Sequence, residues 1–158
     1  MYRNTMNLLF ENSKIKGKVI LSDSLDTNPA LLKDKTLYKF IWVVSGRLEL
    51  DVDHQTVVLN GGQLLTLSHL HHLEFIRVDG TYLALMFNSN FYCIYGNDHE
   101  VSCNGLLFHG SSHVVVFDLS DEERRRIDTL TGIMREEFES RDHLQEEMLR
   151  VLLKRFII

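Results

Sequence analysis

Proline and cysteine are nearly missing from this chain, and there is no excess of positive charge. Among 158 residues there is one proline, Pro29, and there are two cysteines, Cys93 and Cys103. An ordinary chain carries about 5% proline, so strands and helices here must be punctuated mainly by glycine and short polar residues. Two cysteines are too few for a disulfide framework, and the expected state is a cytoplasmic protein with reduced thiols. The net charge of −5 leaves no surplus of cations to grip a phosphate backbone or an anionic membrane. No apolar run reaches the roughly 18 residues of a membrane span. The opening MYRNTMNLLFENSKIKG turns polar after Phe10 and lacks the long apolar stretch and small-residue cleavage site of a signal peptide. No internal repeat or low-complexity segment is visible. What is present is an average globular make-up, 44% hydrophobic and 25% charged, with length enough for one domain around a real core.

From about residue 37 to 87 the hydrophobic period is two. RLELDVD (47–53) alternates without a fault, with Leu48, Leu50 and Val52 on one face and Arg47, Glu49, Asp51 and Asp53 on the other. Before it stands LYKFIWVV, ended by Ser45-Gly46. Asp53-His54 reads as a tight turn into QTVVL, and Asn60-Gly61-Gly62 as the next turn, since Asn and Gly accept positive φ cheaply. QLLTLS and HLEFIRV follow as strands, then Asp79-Gly80 as a hairpin signal, then TYLALMFN. Short strands with a turn every 8 to 12 residues or so predict a sandwich or barrel. After a looser stretch and a short strand, VVVFDL (114–119), the period changes. Ser120 followed by Glu123 is a capping box opening a helix, and Ile127, Leu130, Ile133 or Met134, and Phe138 keep helical spacing. A second helix opens near Arg141-Asp142, with Leu144, Met148, Val151, Leu152 and Ile158 along one side.

That second helix becomes more apolar toward Phe156-Ile157-Ile158 and carries no Gly, Asn or Pro stop signal. The expectation is that its Leu149, Val151, Leu152, Leu153 and Phe156 surface packs against a symmetric copy in a homodimer, and that the natural protein continues beyond it. Aspartate at both Leu152 and Phe156 would then leave a monomer.

The order of these pieces resembles a known family. A strand ending W-V-x-S-G, then L-E-L-D-V-D, a Gly-Gly turn, Q-L-L-T-L-S, a histidine four residues later and two closing helices are similar to the N-terminal regulatory domain of AraC-type transcription regulators. Residues 91–108, FYCIYGNDHEVSCNGLLF, are similar to one bacterial subgroup of them. The resemblance covers roughly residues 30 to 158. It implies a mainly β fold, a cupin-like double-stranded β-barrel over residues 1–119, followed by two helices in a dimerisation region over 120–158. It also implies a small-molecule effector of unknown identity, no enzymatic activity, and contact with DNA only through a helix-turn-helix domain that nothing in this chain resembles.

The histidines of GGQLLTLSHLHHLEF (61–75) raise the alternative, a free-standing metal-dependent cupin enzyme. Set against the metal-binding cupin pattern, Lys39 stands where a glutamate ligand would be, Lys33 and Lys35 lie near the His-x-His position, and His72 falls one residue early. Metal sites need neutral imidazoles and carboxylates converging on one ion, so no metal and no cofactor is expected. His72 matches the histidine that follows this strand in AraC-type sensors. It is the candidate hydrogen-bond donor to an effector, with Glu74 on the same strand face to hold its tautomer; the plainer reading is an exposed strand-end ion pair. Trp42 and Tyr82 are candidate pocket walls, because ligand cavities are mostly aromatic and apolar with a few polar groups. Cys93, His99 and Cys103, with His109 or His113 as a fourth ligand, lack a recognised zinc spacing. ERRR (123–126) is flanked by acids and reads as a solvated helix face. Glu136, Glu137, Glu139, Glu146 and Glu147 make the same surface acidic, which would repel phosphate.

Overall fold

A computed structural model describes residues 5–92 and 115–157. Cys93, His99, Cys103, His109, His113, Ile158 and nearly all of the 91–108 segment lie outside these described residues. Among the described residues, seven strands form one antiparallel sheet: β1 (Asn7–Asn12), β2 (Gly17–Ser22), β3 (Leu37–Val52), β4 (Gln55–Asn60), β5 (Gln63–Leu67), β6 (Leu73–Asn88) and β7 (Val115–Asp118). Their order is β1-β2-β6-β3-β5-β7, with β4 paired to β3. A 3-10 turn (Leu25–Thr27) and a short helix, α1 (Pro29–Lys33), lie between β2 and β3. Helices α2 (Asp121–Glu139) and α3 (Gln145–Ile157) follow β7. The molecule is therefore mainly β with two C-terminal helices.

Two strands are longer than their sequence punctuation predicts. Ser45-Gly46 and Asp79-Gly80, expected to end strands, lie inside β3 and β6, and Gly46 pairs with Gly80. The register shifts between Val43 and Ser45, the mark of a bulge. Gly46 has φ of 85°, and a Cβ there would stand 2.3 Å from the Asp79 carbonyl oxygen. A Cβ on Gly80 would stand 2.1 Å from the Ser45 carbonyl oxygen. The glycines thus let two backbones approach closely within a ladder. The two other turns form as expected: Asp53 and His54 both take positive φ, 49° and 70°, and Gly62 takes 87°.

Alternation along the strands sorts their residues into two cores. Val19, Leu21, Tyr38, Phe40, Trp42, Leu83, Leu85 and Phe87 face the helices and pack with Met134, Leu149, Leu152, Leu153 and Ile157. Ile20, Leu37, Ile41, Val43, Leu65, Leu67, Tyr82, Ala84 and Met86 face the other way. They share one cluster with Leu48, Leu50, Val52, Leu59 and Leu73, so the sheet curls over its own inner face. Burial on both faces explains why LYKFIWVV reads as an unbroken apolar run.

Lys39 is the exception inside. It sits between Leu37 and Ile41, is 2% exposed, and its Nζ donates to the Leu37 carbonyl at 3.4 Å. Burial pushes its pKa below the ordinary lysine value of 10.5, an effect partly opposed by the charge of Asp34. Asp34 itself is held by Lys18 at 2.5 Å. An unfolded chain binds the Lys39 proton more readily than the folded one, so stability should rise as pH climbs from the lowered value toward 10.5. Lys39→Met should stabilise the fold by about 0.5–2 kcal/mol near neutral pH, with the gain shrinking as pH approaches 10.5. Urea midpoints of both proteins at neutral and alkaline pH check this, and a pH-independent difference would contradict it.

Helix α2 is satisfied at both ends, and side chains tie α3 to the sheet. Ser120 Oγ accepts from the Glu123 amide at 3.1 Å, and the Ser120 amide donates to Glu123 Oε1 at 3.0 Å, completing the expected capping box. These bonds, the Ser120 amide first, hold the Glu123 carboxyl below its ordinary pKa. Gln145 Nε2 donates to the Glu137 carbonyl at 2.9 Å and that of Phe138 at 3.1 Å, satisfying the end of α2. Arg150 Nε donates to the Phe91 carbonyl at 3.0 Å, and Glu146 accepts from Asn12 Nδ2 at 3.0 Å. Together these tie α3 to the β1 edge and the chain after β6.

Candidate functional site

The four residues singled out for an effector do not meet. His72 and Glu74 share a strand face, as expected, and their side chains pair at 3.1 Å, but they stand 60% and 66% exposed on the outside of the sheet. Trp42 is 3% exposed and faces the helices. Tyr82 is 1% exposed and faces inward; its hydroxyl donates to the Asp26 carboxylate and accepts from the Asp26 amide at 2.9 Å. The reason is register. Tyr82 pairs with Val43 and Trp42 with Leu83, so the two aromatics sit one step apart on adjacent strands and point to opposite faces.

The dimer expectation also changes. Leu149, Leu152 and Leu153 are 0%, 8% and 0% exposed within the chain's own core, not on its surface. Phe156 packs its ring 5.0 Å from Phe40 and 5.2 Å from Trp42. The sheet needs the apolar face of α3 to cover Phe40, Trp42 and Leu85, and what α3 leaves outside is Val151 at 55% and Met148 at 39%, with Leu144 at 48% just before it.

A different place is built like a binding site. Between the sheet and the two helices lies a groove of about 770 Å³. Its floor is Phe40 on β3, Leu64 and Thr66 on β5 and Phe117 on β7; α2 contributes Ile127 and Leu130, and α3 contributes Phe156 and Ile157. The alternation that turns Phe40 toward the helices also turns Leu64 and Thr66 there. The rim is charged, with Asp118, Glu122, Glu123, Arg125, Arg126 and Arg155. Every acid of the rim is engaged. Glu122 pairs with Arg126 at 2.6 Å, Asp118 accepts from Gln63 Nε2 at 2.9 Å, and Glu123 holds the Ser120 cap. Beside the groove, a hollow of about 60 Å³ is lined by Trp42, Gly62, Leu119, Arg124 and Ile127. The buried Trp42 Nε1 has no hydrogen-bond partner among the described residues. Among the described residues, no three His, Cys, Asp or Glu side chains cluster to hold a metal ion. No described helix is long and apolar enough to cross a membrane.

Comparison with solved structures gives partial overlaps at low identity. The AraC-like transcriptional activator CuxR is 11% identical, with a TM-score of 0.45 over 89% of this chain and 51% of that one. ToxT from Vibrio cholerae, bound to (E)-4-(8-methylnaphthalen-1-yl)but-3-enoic acid, is 14% identical, with a TM-score of 0.44 over 97% of this chain and 54% of that one. The cupin domain of an XRE-family regulator from Enterobacter cloacae is 15% identical, with a TM-score of 0.33 over 53% of this chain and 93% of that one. The chain thus spans about half the length of the AraC-like regulator and of ToxT. No family model and no curated protein matches it.

The groove was not legible in the sequence. Its lining comes from five elements spread from Phe40 to Ile157, and the one local cue, ERRR, reads as a solvated face. Arg126 and Arg124 fit that reading, since Arg126 pairs with Glu122 and Arg124 reaches the Gly61 carbonyl at 3.3 Å. Arg125 and Arg126 both line the groove, Arg125 without such a partner among the described residues.

Proposed function

We propose that this chain is the effector-sensing and dimerising part of an AraC-type transcription regulator, and that its effector enters the groove between sheet and helices. The observation that carries the reading is the ownership of the groove's walls. Its floor belongs to the β-barrel part and its sides to both α2 and α3. Its volume falls within the range of small-molecule sites, roughly 300–1,000 Å³. A ligand there touches the helices directly, and one that binds better in one placement of the helices shifts the molecule toward that placement. The order of motifs from WVVSG to the closing helices supports the same reading. DNA contact would come from a separate helix-turn-helix domain. Self-association would use the outer stripe of Leu144, Met148 and Val151, which a symmetric copy would cover.

The rival reading is a metal-dependent cupin enzyme. Lys39, at the position where metal-binding cupins carry a glutamate ligand, lies buried in the inner core with no carboxylate in hydrogen-bonding contact among the described residues, which favours the sensor. A thermal-shift screen of the chain against divalent metals and a few hundred metabolites separates the two, because a ligand of the folded state raises the midpoint by mass action. Leu130→Trp, which fills the groove from α2, and His72→Ala are run beside it. A metabolite response lost in Leu130→Trp and kept in His72→Ala is the expected result. A response to metal alone would favour the enzyme, and a metabolite response lost only in His72→Ala would move the site to the sheet's outer face.

A further inference from the structure

The groove's rim is chemically lopsided in a way its overall charge conceals. Three acids and three arginines line it, a formal balance of zero. The acids are already committed: Glu122 to Arg126, Asp118 to Gln63 and Glu123 to the Ser120 cap. Of the arginines, only Arg126 is committed. Arg125 on α2 and Arg155 on α3 line the same groove without an ion-pair or side-chain hydrogen-bond partner among the described residues. A guanidinium offers a planar fork that fits a carboxylate with two parallel bonds, and it is always charged. Below these two groups the surface is apolar and aromatic: Phe40, Leu64, Phe117, Leu130 and Phe156. Any guest must satisfy both halves, since an apolar body left in water or a buried polar head without a partner forfeits affinity.

We propose that the groove selects a small amphipathic acid. Its apolar body, a ring or short chain, lies on Phe40, Phe117 and Phe156. Its carboxylate is clamped by Arg125 from one helix and Arg155 from the other. This rests on the sensing reading above and adds the class of effector and the residues that recognise it. The clamp also gives the effector a mechanical role, because one anion bridging two cations draws α2 and α3 together at the open side of the groove.

The chain reports on this itself. Trp42 is its single tryptophan, and its ring lies 5.2 Å from that of Phe156, a groove wall. The test titrates Trp42 emission with decanoate and naphthalene-2-carboxylate, each kept below its aggregation limit. Their neutral matches, 1-decanol and 2-naphthol, are titrated in parallel. The acids should bind at least about tenfold more tightly than the alcohols, with the gap narrowing as salt rises, since ions screen the exposed arginines. Arg125→Gln with Arg155→Gln should erase the gap and leave the alcohols unchanged. Alcohols as tight as acids, or a gap that survives the double variant, would overturn the proposal. If neither acids nor alcohols bind while a screened metabolite of another class is blocked by Leu130→Trp, the acid class is wrong and the groove reading stands. If Leu130→Trp blocks nothing that binds, the groove reading itself fails.

Discussion

Leu153→Ala is expected to lower the unfolding free energy by about 2–5 kcal/mol, the loss typical of a leucine removed from a packed core. Leu153 is 0% exposed and belongs to the cluster that α3 shares with Phe40, Trp42 and Leu85 on the sheet. The same truncation on a dimer-forming surface would barely move the stability of a monomer and would instead change self-association. Met148→Glu with Val151→Glu is the opposite case. These two lie on the solvent side of α3, at 39% and 55% exposure, and their replacement should shift stability by only about 0.5 kcal/mol while abolishing any dimer built on this helix. Chemical denaturation and sedimentation of the two variants check both halves. A stable, monomeric Leu153→Ala would return the leucines to an interface between copies, and an unaltered dimer in the double glutamate variant would remove α3 from it. The doubly substituted Leu152→Asp and Phe156→Asp chain, by contrast, would lose helix packing before it could report on oligomeric state.

The second large effect concerns the paired glycines. Gly80→Ala should destabilise the protein by about 3 kcal/mol or more. If Gly80 served only conformational freedom in a turn, alanine would be tolerated, because only Gly46 of this pair takes a positive φ. The obstacle is contact: the added methyl would meet the Ser45 carbonyl oxygen at 2.1 Å, and backbone in the middle of a ladder has little room to move. Gly46→Ala should be worse still, since it adds a φ of 85° to a 2.3 Å clash with Asp79. Thermal denaturation gives the answer, and a Gly80→Ala midpoint within a degree or two of the parent would refute the close approach.

Those glycines also show where reading the sequence stops. RLELDVD, the Asp53-His54 and Gly62 turns and the Ser120 capping box depend on neighbours a few residues apart, and each forms as the local pattern predicts. Gly46 and Gly80 are the same kind of local signal, yet their meaning depends on facing one another across a ladder. The sequence does not state that pairing, so two long strands read as four short ones. Strands β1 and β2 are hard to read from sequence because NLLFEN and GKVILS are short and their turn carries one glycine, Gly17, while the positive φ of 55° falls on Lys16. The site suffers most from the same limit. Whether Trp42 and Tyr82 share a pocket is decided by a one-residue difference in register. The surface of α3 looks unpartnered until the sheet beneath it is in place. The groove joins residues from Phe40 to Ile157 that have no sequence relation at all.

Hydrogen exchange of the full chain, with and without a saturating hit from the metabolite screen, tests the central claim most directly. Ligand in the groove should slow exchange in β5, in α2 around Ile127 and Leu130, and in the last turn of α3, because those backbones carry its walls. Exchange around His72 and Glu74 should stay as it was. Protection confined to the His72–Glu74 strand end, with α2 and α3 unaffected, would contradict the account.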